Sequence, residues 1–410
     1  MNKRTPIGRV VGLSLLYFVG FAAAQNKAPK EDSPQRLELQ FQSAVAEYHS
    51  GKYSEAAAQL EKLLPRLPTS YEVHELLGLA YAAESLNGKA VDQLQRAVQL
   101  KPDSPEGRTN LATALTHDGK TDRAGEEFRR ALALEPDDYE ANHNLGEFYI
   151  GSNRITDALP MLEHAHQLNP SAYDNNYDLA LAYLISGQLE DAAKIVKGAS
   201  QEKNSGEMHN LLGQIDEKRG EYVSAATEFA TAAHLDPSED NLFAWGSELL
   251  LHKTTEPATE VFRQAVRRYP NSPRLWIGLG MTLYLRTQYE ESIKSLLTAA
   301  DLDPGDPRCY VFLSHAYLSA PEQADAVIQS FRRYAELQPD NALAQYYYAL
   351  SLWKARRVQA SAVDFKTVES LLDQAVSLDG TLADAHLQLG ILHADQHEYD
   401  KAFPEYQRAL

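Results

Sequence analysis

Three histidines stand close together near the C-terminal end: His386, His393 and His397, with Asp395 between the last two. His393 and His397 are four apart, the spacing with which a helix presents two imidazoles to one zinc ion. The surrounding pattern gives each a plainer role. His393 falls where the chain elsewhere carries tyrosine, as at Tyr149, and His397 falls in a turn. His164 and His166 are two apart and so point to different sides of a helix. Cys309 is the only cysteine, which rules out an internal disulfide or a cysteine tetrad. With Tyr310 and Val311 beside it, it reads as a buried, inert thiol. No glycine-rich phosphate loop or nucleophile elbow is present. The acid-rich turns EPDDYE and DLDPGDP precede helix starts, where negative charge is favoured, and read as caps. The sequence therefore assigns no catalytic residue, no metal and no cofactor.

The elements that carry these residues follow a fixed beat. Pro68, Pro102, Pro136 and Pro170 are 34 apart, and Ala56, Ala90, Ala124, Ala158 and Ala192 keep the same interval. A period of this length means one supersecondary unit copied many times. In the copy Tyr139–Ala172, Leu145, Gly146 and Tyr149 share a face of a first helix. Ala158, Leu162 and Ala165 share a face of a second, which Pro170 stops. Gly78, Ala112, Gly146, Ala180, Gly213, Gly246, Gly280 and Gly390 take one place on successive first helices. Their small size lets paired helices approach. Large residues such as Leu77, Trp276, Phe128, Phe229 and Phe262 are expected to fill the gap to the next copy, since a lone pair cannot bury its apolar face.

This pattern resembles the tetratricopeptide repeat (TPR) family. It reads clearly in GLAYAAESLNGKAVDQLQRAVQLKP, LATALTHDGKTDRAGEEFRRALALEP and WIGLGMTLYLRTQYEESIKSLLTAADLDP. The resemblance implies an all-α fold, a right-handed superhelical solenoid of tandem antiparallel helix pairs over 37–410. That span holds about ten full repeats and a partial last one, irregular near 200–206 and 354–366. It also implies a concave groove, lined by the first helices, that receives a peptide or protein segment. The places that face such a groove read as polar and acidic early in the chain: Glu106, Thr109, Thr113, Glu140, His143 and Glu147. Later they read as apolar and aromatic: Phe243, Leu250, Ile277, Met281, Tyr284, Val311, Leu318, Tyr346, Leu350 and Trp353. Asn110, Asn144 and Asp178, again 34 apart, resemble the asparagine ladder with which the repeats of O-linked N-acetylglucosamine transferases hold a peptide backbone.

Composition bounds the partners. The formal charge is −18, which disfavours nucleic acid, because a phosphate backbone demands a basic track. Residues 1–24 have a basic start (Lys3, Arg4, Arg9), an apolar run from Val10 to Phe21 and small residues at Ala22–Ala24, the plan of a secretory signal peptide. The run is shorter than the ~20 residues of a spanning helix, so no integral span is expected after cleavage. Residues 25–36 read as a flexible linker. Leu410 falls partway through a second helix, as in a fragment of a longer protein. The expectation is an exported, periplasmic or secreted, non-enzymatic scaffold for protein or peptide partners. The alternatives are the recruitment arm of a larger, glycosyltransferase-like enzyme and a periplasmic chaperone-like binder. In an exporting cell the mature chain should begin at Gln25. N-terminal sequencing checks this, and an intact start at Met1 would remove the export reading.

Overall fold

The computed structural model describes residues 33–320, 323–359 and 365–410. The expected signal peptide, most of the 25–36 linker, Pro321 and the centre of the 354–366 irregularity lie outside the described residues. Those that are described form 22 α-helices and no strand. The first helix begins at Pro34, three residues ahead of the Leu37 boundary.

The chain divides into two units, one ending at Lys203 and the other starting at Asn204. The first holds α1 (Pro34–His49), α2 (Tyr53–Leu63), α3 (Tyr71–Ala83), α4 (Asn87–Leu100), α5 (Pro105–His117), α6 (Thr121–Leu134), α7 (Tyr139–Gly151), α8 (Ile155–Leu168), α9 (Tyr173–Ser186) and α10 (Leu189–Glu202). The second holds α11 (Gly206–Arg219), α12 (Tyr222–Leu235), α13 (Glu239–Leu251), α14 (Thr255–Arg268), α15 (Pro273–Leu285), α16 (Tyr289–Leu302), α17 (Pro307–Ser319), α18 (Ala324–Leu337), α19 (Ala342–Gln359), α20 (Phe365–Leu378), α21 (Ala383–Asp395) and α22 (Tyr399–Arg408).

Local chemistry sets the helix ends. The Oγ of Ser104 accepts from the Gly107 N–H at 3.0 Å, and Asp138 Oδ1 accepts from the Ala141 N–H at 2.7 Å. Asp306 caps α17 in the same way through the Arg308 N–H, so the acid-rich turns serve as N-caps. Among the described residues, nine odd helices turn into their even partners through one left-handed residue. Gly119 (φ 75°) and Gly187 (φ 81°) take that place easily, whereas Thr287 holds it at φ 59°, a strained position for a β-branched side chain. Most even helices end in an extended residue, such as Lys101 (φ −133°, ψ 79°) and Glu135 (φ −134°, ψ 82°). The proline that follows each of these excludes the helical region for its predecessor. Lys203 adopts the same backbone (φ −138°, ψ 100°) although Asn204, not proline, follows it.

Packing within each helix pair depends on the small residue of the odd helix. A Cβ added at Gly146 would stand 2.5 Å from Leu162 Cδ2, and one at Gly280 would stand 2.5 Å from Leu296 Cγ. Gly213 and Gly246 accommodate the rings of Phe229 and Phe262 in the same way. These phenylalanines therefore fill their own helix pair first, whereas the sequence pattern assigned them to the gap between copies. Phe262 does both, because its ring also lies against Gly278 of the next odd helix. Leu94, Leu162 and Leu296 are fully buried, each contributing about 1.5–3 kcal/mol relative to an exposed side chain. Within each unit the odd helices also touch one another in succession, α5 against α7 and α7 against α9, and likewise α13 against α15 and α15 against α17. The even helices of the first unit make no comparable contacts. In the first unit the odd row is thus the tighter one and presents the inner face, whereas in the second α16 and α18 touch as well.

The close approach at the odd-helix glycines has a checkable consequence. Gly→Ala in a helix ordinarily stabilises by ~1 kcal/mol. At Gly146 the collision with buried Leu162 should reverse the sign and cost about 1–3 kcal/mol. Gly198 in α10 has nothing within 4 Å of an added Cβ, so Gly198→Ala should stabilise by roughly 0.5–1 kcal/mol. Thermal unfolding followed by circular dichroism should move in opposite directions for the two variants.

Candidate binding faces

On the odd-helix face of the first unit the acids are organised around Glu75. Its side chain on α3 is buried (9% exposed). It accepts hydrogen bonds from Tyr71 Oη at 2.5 Å and from Asn110 Nδ2 of α5 at 3.1 Å. Burial holds its carboxyl above the ordinary range, against the pull of those two donors. Partial burial and the Glu75 charge push Glu106 up to about 7, opposed by Lys101. On α7, His143 stacks on Tyr139 with ring centroids 5.8 Å apart and places Nε2 3.0 Å from Asp178 Oδ2 of α9. Burial alone would lower the His143 pKa. The Asp178 hydrogen bond and charge outweigh it, with help from Glu147 and Glu140, and the net shift is upward.

The expected asparagine ladder is therefore rearranged. Asn110 is tied to Glu75 and Asp178 to His143, because a buried charge or imidazole needs a partner. Both act as staples between successive odd helices and do not point out toward a peptide. Asn144 is half-buried and makes no side-chain hydrogen bond among the described residues.

The second unit begins in polar fashion. Asn210 Nδ2 of α11 donates to Asn241 Oδ1 of α13 at 2.9 Å, and Arg274 of α15 binds Glu239 and Asp240 of α13, each at 2.6 Å. The same guanidinium lies 4.9 Å above the Phe243 ring. From there the odd-helix face turns apolar. Met281, Tyr284, Val311, Tyr346 and Phe243 are half-buried. Tyr284 gathers Tyr289, Phe312 and His315 around it at centroid distances of 5.7 to 6.1 Å. Leu318 and Leu343 are each 41% exposed and Leu387 46%.

Two of the expected groove residues are not on this surface. Ile277 and Trp353 are each 5% exposed. Ile277 packs with Ile293, Leu296 and Tyr310, and Trp353 with Leu372, Leu389 and Phe365. Their helical register is the expected one, but the next odd helix covers them. The residues that the sequence reading passed over are Leu343 and Leu387, which occupy the same register on α19 and α21 and remain open.

Other groups with chemical potential are occupied. Cys309 is fully buried, its Sγ 3.1 Å from the Asp306 carbonyl oxygen, and burial with the nearby Asp306 charge pushes its thiol up to about 12. His397 is exposed at φ 62° and turns Nδ1 to Tyr399 Oη at 3.2 Å, so it does not share a site with His393. Two shallow hollows of about 430 and 490 Å³ lie along even helices, beside Trp245 and Arg263 and beside Asp301 and Arg333. No helix among the described residues is long and apolar enough to cross a membrane.

Comparison with known proteins agrees with the repeat geometry. Profiles of the tetratricopeptide repeat match residues 41–105, 115–159, 151–215 and 257–307, together a little over half of the chain. The chain belongs to the tetratricopeptide repeat family, and its repeats mark it as a scaffold for protein–protein contact. It is similar to the human Protein O-mannosyl-transferase TMTC3, 22% identical over 208 residues, which are 48% of this chain and 22% of that protein. It is also similar to Pre-mRNA-splicing factor 6 of Saccharomyces cerevisiae, 27% identical over 134 residues, 33% of this chain and 12% of that one. The matches thus span less than a quarter of either relative. Among solved structures, a tetratricopeptide repeat protein of Parabacteroides merdae is 16% identical, with 61% of this chain set against 99% of that one at a TM-score of 0.49. PilW, a widely conserved type IV pilus biogenesis factor, is 22% identical, with 51% set against 97% at 0.47. None of these likenesses carries a function across.

The Glu75–Glu106 pair makes a pH prediction. A carboxyl whose pKa rises on folding favours the protonated folded state, so its ionisation weakens the fold as pH climbs from about 4.5 toward about 7. Glu106→Gln should therefore unfold at a higher temperature than wild type at pH 8. The gap should close below pH 4.5, as thermal scans across that range would show.

Proposed function

We propose that this protein is a non-enzymatic scaffold of the cell envelope. On this reading an apolar or amphipathic segment of a partner protein lies along the odd-helix face of the second unit. The observation that carries the reading is the row of Phe243, Tyr284, Val311 and Tyr346, half-buried on successive odd helices, with Leu318, Leu343 and Leu387 open beside them. Contiguous apolar surface on an otherwise charged protein marks an interaction site, and aromatic side chains are the usual energetic centres of such sites. The helices supply a fixed platform, so a bound segment would order itself against side chains already in place. Export rests on the residues 1–24 and makes the periplasm or the cell exterior the place of action. The negative charge of the chain weighs against nucleic acid as the partner. A second reading makes the repeats the recruiting arm of an enzyme, and its support is the similarity to Protein O-mannosyl-transferase TMTC3.

The test is selection of binding peptides from a displayed random library, followed by affinity measurement. Tyr284→Ala combined with Tyr346→Ala should weaken the selected peptides by at least tenfold, the size expected of a centre worth ~2 kcal/mol. Tyr399→Ala, at an exposed tyrosine on the even row, should leave them unchanged. Equal loss in both, or no loss in the double variant with its helicity intact, would remove this face from the reading.

A further inference from the structure

The repeat itself offers an internal comparison at the place occupied by His393. In two other copies this place is a tyrosine that donates to one carboxylate of the preceding even helix, twenty residues earlier. Tyr81 Oη meets Glu61 Oε1 at 2.5 Å, and Tyr183 Oη meets Glu163 Oε1 at 2.8 Å. In the last copy an imidazole replaces the phenol, and the acids multiply. Asp373 stands at the equivalent position on α20, Glu369 lies one turn before it, and Glu398 enters from the turn between α21 and α22. His393 is 6% exposed, with Nδ1 3.1 Å from Glu398 Oε2. One ligand atom each from Glu369, His393 and Glu398 lie within 4.8 Å of one another. A phenol bonded to one acid is a sufficient packing device, as the other copies demonstrate. An imidazole facing three acids is a different chemical object.

We propose that Glu369, His393 and Glu398 form a binding site for a divalent transition-metal ion of the zinc class. The donor set is one imidazole nitrogen and carboxylate oxygens, which suits zinc and its neighbours better than magnesium or calcium, the ions of all-oxygen sites. A tetrahedral ion with bonds of about 2.0–2.1 Å places its ligand atoms roughly 3.4 Å apart. The His393–Glu398 edge is already at that scale. The remaining gap closes by rotation of Glu369, a half-buried side chain with free torsions.

Charge points the same way. Three carboxylates face one ammonium, Lys401, whose Nζ lies 3.0 Å from Glu398 Oε2. Lys401 is 58% exposed in its side chain, and a solvent-screened surface pair of this kind is weak, so an arriving dication displaces it. A bound ion would tie α20, α21 and the start of α22 together and stiffen the last two helix pairs.

The experiment uses the full chain stripped with a chelator and titrated with Zn²⁺ by calorimetry, with thermal unfolding in parallel. Wild type should bind one ion with a dissociation constant of micromolar order and unfold at a higher temperature when loaded. His393→Tyr restores the residue used by other copies and so retains the packing. It should lose at least tenfold in affinity and lose the thermal gain, and Glu369→Gln should do the same. Co²⁺ in place of Zn²⁺ should give a visible absorption band in wild type that is missing from His393→Tyr. Absence of stoichiometric binding by wild type, or affinity within twofold of wild type in either variant, overturns the proposal. In the second case the ion would be a casual guest elsewhere, for example on one of the other twelve histidines of the thirteen in the chain.

Discussion

Everything in this protein depends on how closely two antiparallel helices can approach where a side chain is nearly absent. Gly146 admits Leu162, Gly246 admits Phe262 and Gly280 admits Leu296, each to a distance that a Cβ would forbid. That approach buries the even-helix residue completely and fixes the rotation of both helices about their axes. The rotation decides which residues face the neighbouring copy and which face outward. A single lapse in the small residue would therefore reorient a face as well as lose packing energy.

Once the pairs are set, successive odd helices lie near enough for their polar side chains to meet. Glu75 with Asn110, His143 with Asp178 and Glu239 with Arg274 each join one odd helix to the next across 35 residues of sequence. These contacts hold polar groups on a face that would otherwise be solvated; burial there raises the carboxyls of Glu75 and Glu106, and the Asp178 hydrogen bond raises His143 against its own burial. The acids of the first unit are in this sense part of the packing between repeats. In the second unit aliphatic and aromatic residues take over the same register, and the inner face becomes apolar. One architecture thus displays two chemically different linings, each described within its own unit.

The His393 cluster shows what a repeat can do with a position that is released from its ordinary duty. The tyrosine of other copies satisfies one acid through one hydroxyl. The smaller imidazole at His393 stays buried, has a second ring heteroatom and lies near carboxylates of α20 and of the α21–α22 turn. The change of residue alters the chemistry available at one place of the repeat without a change of fold.

The period, the pairing of helices, the glycine and alanine contacts and the proline-marked helix ends were all legible in the residues, because each depends on spacings of a few positions along one chain. Even there the structure went further than its marker: Lys203 takes the extended turn without a proline after it. The candidate face was legible only as a register. Phe243, Tyr284 and Tyr346 stay partly open while Ile277 and Trp353, in the same register, are covered, and Asn110 is claimed by a glutamate 35 residues earlier. Periodicity tells which way a side chain leaves its helix. Whether it meets water, an apolar wall or a partner charge depends on atoms brought close by the stacking of copies, and no local spacing encodes that.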